Sequence, residues 1–265
     1  IESTVLKLGL ELQTEVINWE EMRDLQLAFL KSGVPHVDVP QDHAFFATMY
    51  RFANENKIQH ILTGGNISTE CIRNPIEWMY YQSDSRQLRH IHRIFGQKKL
   101  DTFPITSILW HKLWLPYAKN IRLHRPLDLV AYNKKAAVEQ LKQVLDYKEY
   151  PQKHFESRFT RFYEGYWLPT RFGFDVRKVQ FSSLILTNQM TREEAIEKLR
   201  VPALDDDTVK MERQFVCRKL RIKESELDEY LSLPKRTYKS YKNQAWIYSA
   251  GRRLESALGK EDGKS

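Results

Sequence analysis

Three stretches of the chain carry residues able to do chemistry. The first is Leu62-Thr63-Gly64-Gly65-Asn66-Ile67-Ser68-Thr69-Glu70, which continues a short apolar run, Ile58 to Thr63, that reads as a strand. Two glycines directly after a strand let the backbone approach a ligand closely, and amides presented there can cradle a phosphate. In an open parallel sheet ligands lie at the carboxyl ends of the strands. Thr63, Gly64, Gly65 and Asn66 are therefore candidate phosphate-binding positions, and Glu70 is spaced to reach a phosphate-bound Mg2+. A plain left-handed turn explains the same glycines equally well. The second stretch is Asp42-His43, at the start of a helix: Asp42 reads as the N-cap, and His43 is a candidate acid/base group if it faces the crevice. The third runs from Lys153 to Lys178. His154 and Glu156 could form an acid/base pair or part of a metal site there, and Arg158, Arg161, Arg171, Arg177 and Lys178 are candidates for gripping the phosphates of a substrate. The competing reading makes the interleaved aromatics helix core and the arginines members of ion pairs. A cationic stripe at Arg86, Arg89, His90 and Arg93 reads as a solvated helix face, with binding of a diphosphate or an RNA backbone as the alternative.

The elements that must position these residues fall into two parts. Leu10 to Ile17 alternates as a strand would, Trp19 to Lys31 reads as a helix closed by Gly33, and the apolar positions Phe45, Phe46, Met49, Phe52 and Ala53 mark a second helix. With the strand at Ile58 to Thr63, helices over Arg86 to Phe95 and Thr106 to Lys119, and a strand at Ile121 to His124, residues 1–133 predict an α/β domain with a parallel sheet. Asn133 caps a helix from Lys134 to Leu145. Beyond Pro151 the pattern turns helical: Phe155 to Leu168, Val176 to Asn188, Thr191 to Leu199, Asp206 to Leu220 and Glu224 to Leu231. Thr191-Arg192-Glu193-Glu194 is a capping box. Residues 134–265 predict a mainly helical substrate or partner domain with a frayed, polar end from Lys242 to Ser265.

Composition narrows the function classes. Thirteen Tyr, thirteen Phe and six Trp exclude a disordered chain, and ten Gly with ten Pro exclude a collagenous or low-complexity one. Cys71 and Cys217 are too few for a disulfide framework or a structural zinc site, which suits a reducing cytoplasm. No run approaches the ~20 apolar residues of a membrane span. A net charge of +8 favours anionic partners without choosing among them. The opening Ser3-Thr4-Val5-Leu6-Lys7-Leu8-Gly9 reads as the back half of a helix, so the nucleotide domain is expected to be incomplete at its N-terminus.

Several segments together resemble a known family. Gly64-Gly65-Asn66-Ile67-Ser68-Thr69-Glu70 is similar to the Gly-Thr-x-x-x-x-Glu segment of ammonia-using PP-loop ATP pyrophosphatases such as NAD synthetase, with Glu70 in register. Arg125-Pro126-Leu127 followed by Tyr132-Asn133-Lys134 is similar to that superfamily's Pro-Leu and Lys-helix segment. More specifically, Trp19 to Phe29, Pro40 to Ala44, Lys153 to Phe162, Ser182 to Ile185 and Gln189 to Ala195 resemble the N-acetyl sugar amidotransferases of lipopolysaccharide and flagellar-glycan biosynthesis, a likeness running over about residues 1–235.

The resemblance implies a PP-loop, adenine nucleotide alpha-hydrolase-like nucleotide domain followed by a helical domain. It implies ATP and Mg2+, a UDP-linked acetamido sugar, and ammonia from a partner resembling the histidine-pathway glutaminase, with a cyclase-like channel subunit. The implied reaction converts an acetamido to an acetamidino group through an adenylated amide. Zinc is implied only for the family's N-terminal cysteine cluster, and neither that cluster nor the Ser-Gly-Gly-x-Asp-Ser phosphate loop is in these residues. The chain as written is therefore not expected to hydrolyse ATP unaided. A PP-loop tRNA-modifying enzyme is the alternative enzyme, although the positive charge is spread along the chain instead of gathered in one basic appendage, which makes nucleic acid a poorer fit. A non-catalytic docking fragment is the alternative outside enzymes.

Overall fold

The computed structural model describes residues 2–78, 80–150 and 152–257. In chain order these form α1 (Glu2–Lys7), α2 (Trp19–Ser32), α3 (Val39–Glu55), β1 (His60–Leu62), α4 (Ile67–Glu70), α5 (Ser85–Phe95), β2 (Arg122–His124) and α6 (Lys134–Leu145). They continue as α7 (Arg158–Phe162), α8 (Leu168–Phe172), α9 (Arg177–Leu186), α10 (Arg192–Leu199), α11 (Asp206–Leu220), α12 (Glu224–Ser232) and α13 (Ala245–Ala257). Two stretches are π-helical, Trp110–Ala118 and Tyr163–Trp167. β1 and β2 pair as a two-stranded parallel sheet. The chain divides into two compact units. One comprises Ile1–Ile17, His60–Trp78 and Leu123–Leu233, the other Asn18–Gln59, Met79–Arg122 and Pro234–Ser265.

The unit containing α2 is organised by two carboxylates on that helix. Asn18 starts α2 by accepting from the amides of Glu20 and Glu21, and Gly33 ends it at φ 76°, where a side chain would be strained. Leu25, Ala28, Phe29 and Leu30 are fully buried, as are Leu88 and Ile91 of α5. Glu21 and Asp24 lie on the same buried side of α2. The Glu21 carboxylate accepts from the Thr102 amide and hydroxyl at 3.0 Å and from the Phe103 amide at 2.6 Å. Asp24 accepts from the Gln97 and Lys98 amides at 2.9 and 3.0 Å and meets Nε2 of His92 at 3.0 Å. Burial pushes the Glu21 pKa up, but the Thr102 and Phe103 donors outweigh it and hold the carboxyl below its usual value. Residues 97–103, which have no regular structure, are thus tied to a helix through their own amides.

The other unit buries Phe162, Trp167, Leu168, Val216, Leu220 and Leu227, contributed by α7, the second π-helical stretch, α8, α11 and α12. Gly165 permits this packing: a Cβ there would lie 2.7 Å from the Leu204 side chain. The Thr191–Glu194 capping box forms as the sequence predicts, as does the Asn133 cap of α6.

Four expectations are corrected. Leu10 to Ile17 has no regular structure and is almost wholly exposed; alternation alone does not make a strand when no neighbouring edge pairs with it. The second predicted helix begins at Val39, not Asp42, because Pro40 suits a first helical turn and Asp38 takes the cap position. The helix predicted over Thr106 to Lys119 is mostly π-helical, since Pro116 offers no N–H and the wider register accommodates it. The frayed end predicted from Lys242 is helical over Ala245–Ala257, where Tyr248 stacks on Tyr81 at 3.7 Å; residues 258–265 lie outside the described residues.

Replacing Glu21 with Ala would strand the Thr102 and Phe103 donors, so its unfolding free energy is expected to fall by roughly 2–4 kcal/mol. Urea denaturation followed by tryptophan fluorescence checks this, and a change within about 0.5 kcal/mol would contradict the role of that carboxylate.

Candidate functional site

The loop leaving β1 gathers the most concentrated set of polar groups predicted from the sequence. Neither Gly64 nor Gly65 has positive φ, so a left-handed turn is not what the glycines provide. Gly65 instead lies close to charged side chains. A Cβ there would stand 3.3 Å from Oε2 of Glu70, 3.5 Å from Nε of Arg125 and 3.6 Å from Oγ1 of Thr63. Asn66 caps α4, its Oδ1 accepting from the Thr69 amide at 2.9 Å. Asp128 accepts from the Ile67 amide at 2.7 Å and pairs with Arg125 at 3.1 Å. Glu70 pairs with Lys153. Thr63, Gly64, Gly65, Asn66 and Glu70 thus come together, and the structure adds Arg125, Asp128 and Lys153. The amides of Ile67 and Thr69 are already bonded to Asp128 and Asn66, so these two are not open to a phosphate.

This cluster balances two carboxylates against two cations, all partly exposed. Lys134, at the start of α6, extends the cationic side: burial lowers its pKa, Glu149 opposes this, and Lys153 and Lys198 add to it. Pairs of this kind can exchange partners, the carboxylate turning to a cation and the ammonium to a phosphate. Among the described residues no three His, Cys, Asp or Glu side chains assemble a metal site of their own. Mg2+ is commonly held by one or two carboxylates together with substrate phosphates, and Glu70 opposite Gly65 fits that pattern.

His154 lies beside Lys153, with Nδ1 4.0 Å from Oε1 of Glu156. Both side chains are about half exposed, and the separation is too long for a hydrogen bond. Desolvation, then the Lys153 ammonium, lower the His154 pKa against the pull of Glu156 and Glu70. His154 therefore belongs electrostatically to the β1-exit cluster, while Glu156 is a loose neighbour.

The arginines are corrected. Arg158 grips Glu212 with its fork, Nε to Oε2 at 3.0 Å and one terminal nitrogen to Oε1 at 3.1 Å, and stacks over Phe215 at 3.9 Å. Arg161 donates to the same Glu212, whose side chain is only 1 % exposed. Arg177 is bidentate to Asp175 at 3.0 and 2.7 Å and also donates to the carbonyls of Lys198 and Val201. Arg171 is buried, donates to the Leu233 carbonyl at 2.8 Å, and lies over Trp167 and Phe172. All four guanidinium groups are engaged within the fold, Arg171 and Arg177 in buried positions and Arg158 and Arg161 with side chains 43 % and 28 % exposed. Lys178 is exposed.

His43 is likewise a packing group. It is fully buried on α3, with Nδ1 donating to the Gln82 carbonyl at 2.7 Å and Nε2 accepting from the Thr106 amide at 3.1 Å. Both ring nitrogens are used by backbone. Asp42 accepts from Tyr80 and Gln82 at 3.1 Å, and its burial raises its pKa. Nearby on the π-helical stretch, His111 spans the Ser83 hydroxyl at 2.8 Å and the Tyr50 hydroxyl at 3.0 Å. Burial first, then neighbouring Lys112 and His43, push His111 down to about 4, and burial brings His43 to about 4.

Arg125 and Lys134 lie in segments that carry the resemblance and Lys153 opens the third stretch, but these three and Asp128 were not assigned to the site from the sequence. Two signals could have found them: Arg125 directly follows β2, and Lys134 opens α6 behind its Asn133 cap.

Two predictions follow from these assignments. Both imidazoles, His43 buried and His111 partly buried, are neutral when folded and titrate near 6.5 when unfolded. Their contribution is present above about pH 6.5 and is lost as pH falls from there towards about 4, by up to roughly 3 kcal/mol per ring. Urea midpoints at pH 7.5, 5.5 and 4.5 should decline in that order, and His111→Gln should flatten the decline. Separately, Glu212→Ala leaves Arg158 and Arg161 without their acceptor and should cost roughly 2–4 kcal/mol, read by urea denaturation; a change within about 0.5 kcal/mol would contradict that role.

Residues 156–255 match the family described as LPS biosynthesis protein WbpG-like, C-terminal domain. No curated protein matches the chain. Among the described residues no helix is long and apolar enough to cross a membrane. The matched stretch runs from Glu156 through the Arg158–Glu212–Arg161 pairing into α13, and it supports a place for this chain among lipopolysaccharide biosynthesis proteins.

Proposed function

We propose that the chain is part of an ATP-dependent amidotransferase of lipopolysaccharide biosynthesis, acting in the cytoplasm on a nucleotide-linked N-acetyl sugar. In this reading ATP activates the acetamido oxygen as an adenylate. Ammonia from a partner glutaminase then adds to the activated carbon, and AMP departs to leave an acetamidino group. The observation that carries the proposal is the β1 exit, where Glu70, Arg125 and Thr63 gather around Gly65. The match over residues 156–255 supports the biosynthetic setting.

The residues divide the work by charge. Glu70 would hold Mg2+, which when bound neutralises charge on the leaving pyrophosphate. Lys153, released from Glu70, and Lys134 would bind phosphate oxygens, and Arg125 would be kept oriented by Asp128. Gly64 and Gly65 would let the backbone approach the nucleotide. The Ser-Gly-Gly-x-Asp-Ser segment of this chemistry does not occur among these 265 residues, so a preparation that also carries such a segment is the one to assay.

With ATP, ammonium and a UDP-linked acetamido sugar, AMP and the acetamidino product should appear in equal amounts. Glu70→Gln should lower turnover by at least about 10²-fold, the loss of several kcal/mol of charge stabilisation. Its melting temperature should stay near wild type, since the Glu70–Lys153 pair is partly exposed. Unchanged turnover at saturating Mg2+ would remove Glu70 from the reaction.

A further inference from the structure

The two strands set a pair of imidazoles side by side. Nδ1 of His60 on β1 lies 3.0 Å from Nε2 of His124 on β2, with ring centroids 5.1 Å apart and planes inclined at 48°. Both residues are exposed. A hydrogen bond between two solvated imidazoles competes with water and adds little to stability. The spacing has another consequence. Imidazole nitrogens sit at about 2.0–2.1 Å from zinc, so two of them sharing one cation stand about 2.9 Å apart at a right angle and about 3.4 Å apart at the tetrahedral angle. The observed separation falls inside that range.

We propose that His60 and His124 form a two-imidazole chelate for a borderline divalent transition metal. In the free protein one N–H lies between the rings; on binding, that ring takes the tautomer with its proton on the outer nitrogen, and both facing nitrogens donate lone pairs. No net proton is released and no redox step is involved. Modest ring rotation brings the lone pairs to a common point. Among the described residues no third His, Cys, Asp or Glu completes a group of three, so water fills the remaining positions. Two imidazoles with water follow the usual divalent order, Cu2+ above Ni2+ and Zn2+, and do not retain Mg2+ or Ca2+. The bound cation would fasten a two-stranded sheet that is marginal by itself, immediately before the Thr63–Asn66 loop. This inference does not rest on the nucleotide reading.

Calorimetric titration of the purified protein with Cu2+, Ni2+ and Zn2+ separately tests it. One cation should bind per chain in that order of affinity, unaffected by millimolar Mg2+. His60→Ala and His124→Ala should each weaken Ni2+ at least tenfold, with the metal-free melting temperature unchanged because both rings are exposed. Wild-type affinity in either variant would overturn the proposal. Should a variant fail to fold, Ni2+ broadening of imidazole resonances in the unmodified protein decides. The His60 and His124 rings must broaden first, and earlier broadening of any other ring overturns the site.

Discussion

A carboxylate removed from water must find donors, and Glu212 shows how much follows from that requirement. Its side chain on α11 is almost completely buried, and it takes hydrogen bonds from both Arg158 and Arg161 of α7. Removing one partner of such a group costs far more than the pair contributes over an apolar replacement, so the arrangement fixes geometry more than it adds stability. With α7 held to α11, Phe162, Trp167 and Val216 pack between apolar neighbours, and Arg158 lies flat on Phe215. The same logic recurs where Asp175 clamps Arg177, and in the other unit where Glu21 and Asp24 gather the amides of residues 97–103.

This constraint also sorts the charges by purpose. Arg171 and Arg177 are buried and committed to carbonyls and to Asp175, while Arg158 and Arg161 are tied to the buried Glu212 with their own side chains partly exposed. The charges around Gly65 differ in kind. Glu70, Lys153, Arg125 and Asp128 are all partly exposed, so their pairing is weak enough to be exchanged for that of a ligand. What differs between the Glu212 and Glu70 pairings is burial of the carboxylate: the Glu212 side chain is 1 % exposed and that of Glu70 39 %.

Local signals were readable in the sequence because their causes are local. Gly33 ends α2, Asn133 starts α6, and the Thr191–Glu194 box starts α10 where short-range hydrogen bonding requires it. The Gly64–Gly65 loop and Glu70 were also readable, as a strand end with a carboxylate at fixed spacing. What could not be read were partners distant along the chain. Glu212 lies more than fifty residues from the arginines it neutralises, so those arginines looked like free phosphate ligands. Asp42 looked like a cap because nothing nearby revealed that Tyr80 and Gln82 would claim it. Leu10 to Ile17 had the alternation of a strand but no partner edge. The π register around Pro116 followed from a missing N–H, a signal present in the sequence but ambiguous between a kink and a break.

Adenylation of the sugar amide is the step on which the proposed chemistry turns, and isotope transfer reports it directly. A preparation carrying the phosphate loop would be given ATP, ammonia and a UDP-linked sugar carrying 18O in its acetamido carbonyl, and the AMP analysed by mass spectrometry. One 18O per AMP, formed in step with the acetamidino product, is the predicted result. Unlabelled AMP, with the label in water or phosphate, would contradict activation of the amide oxygen by ATP.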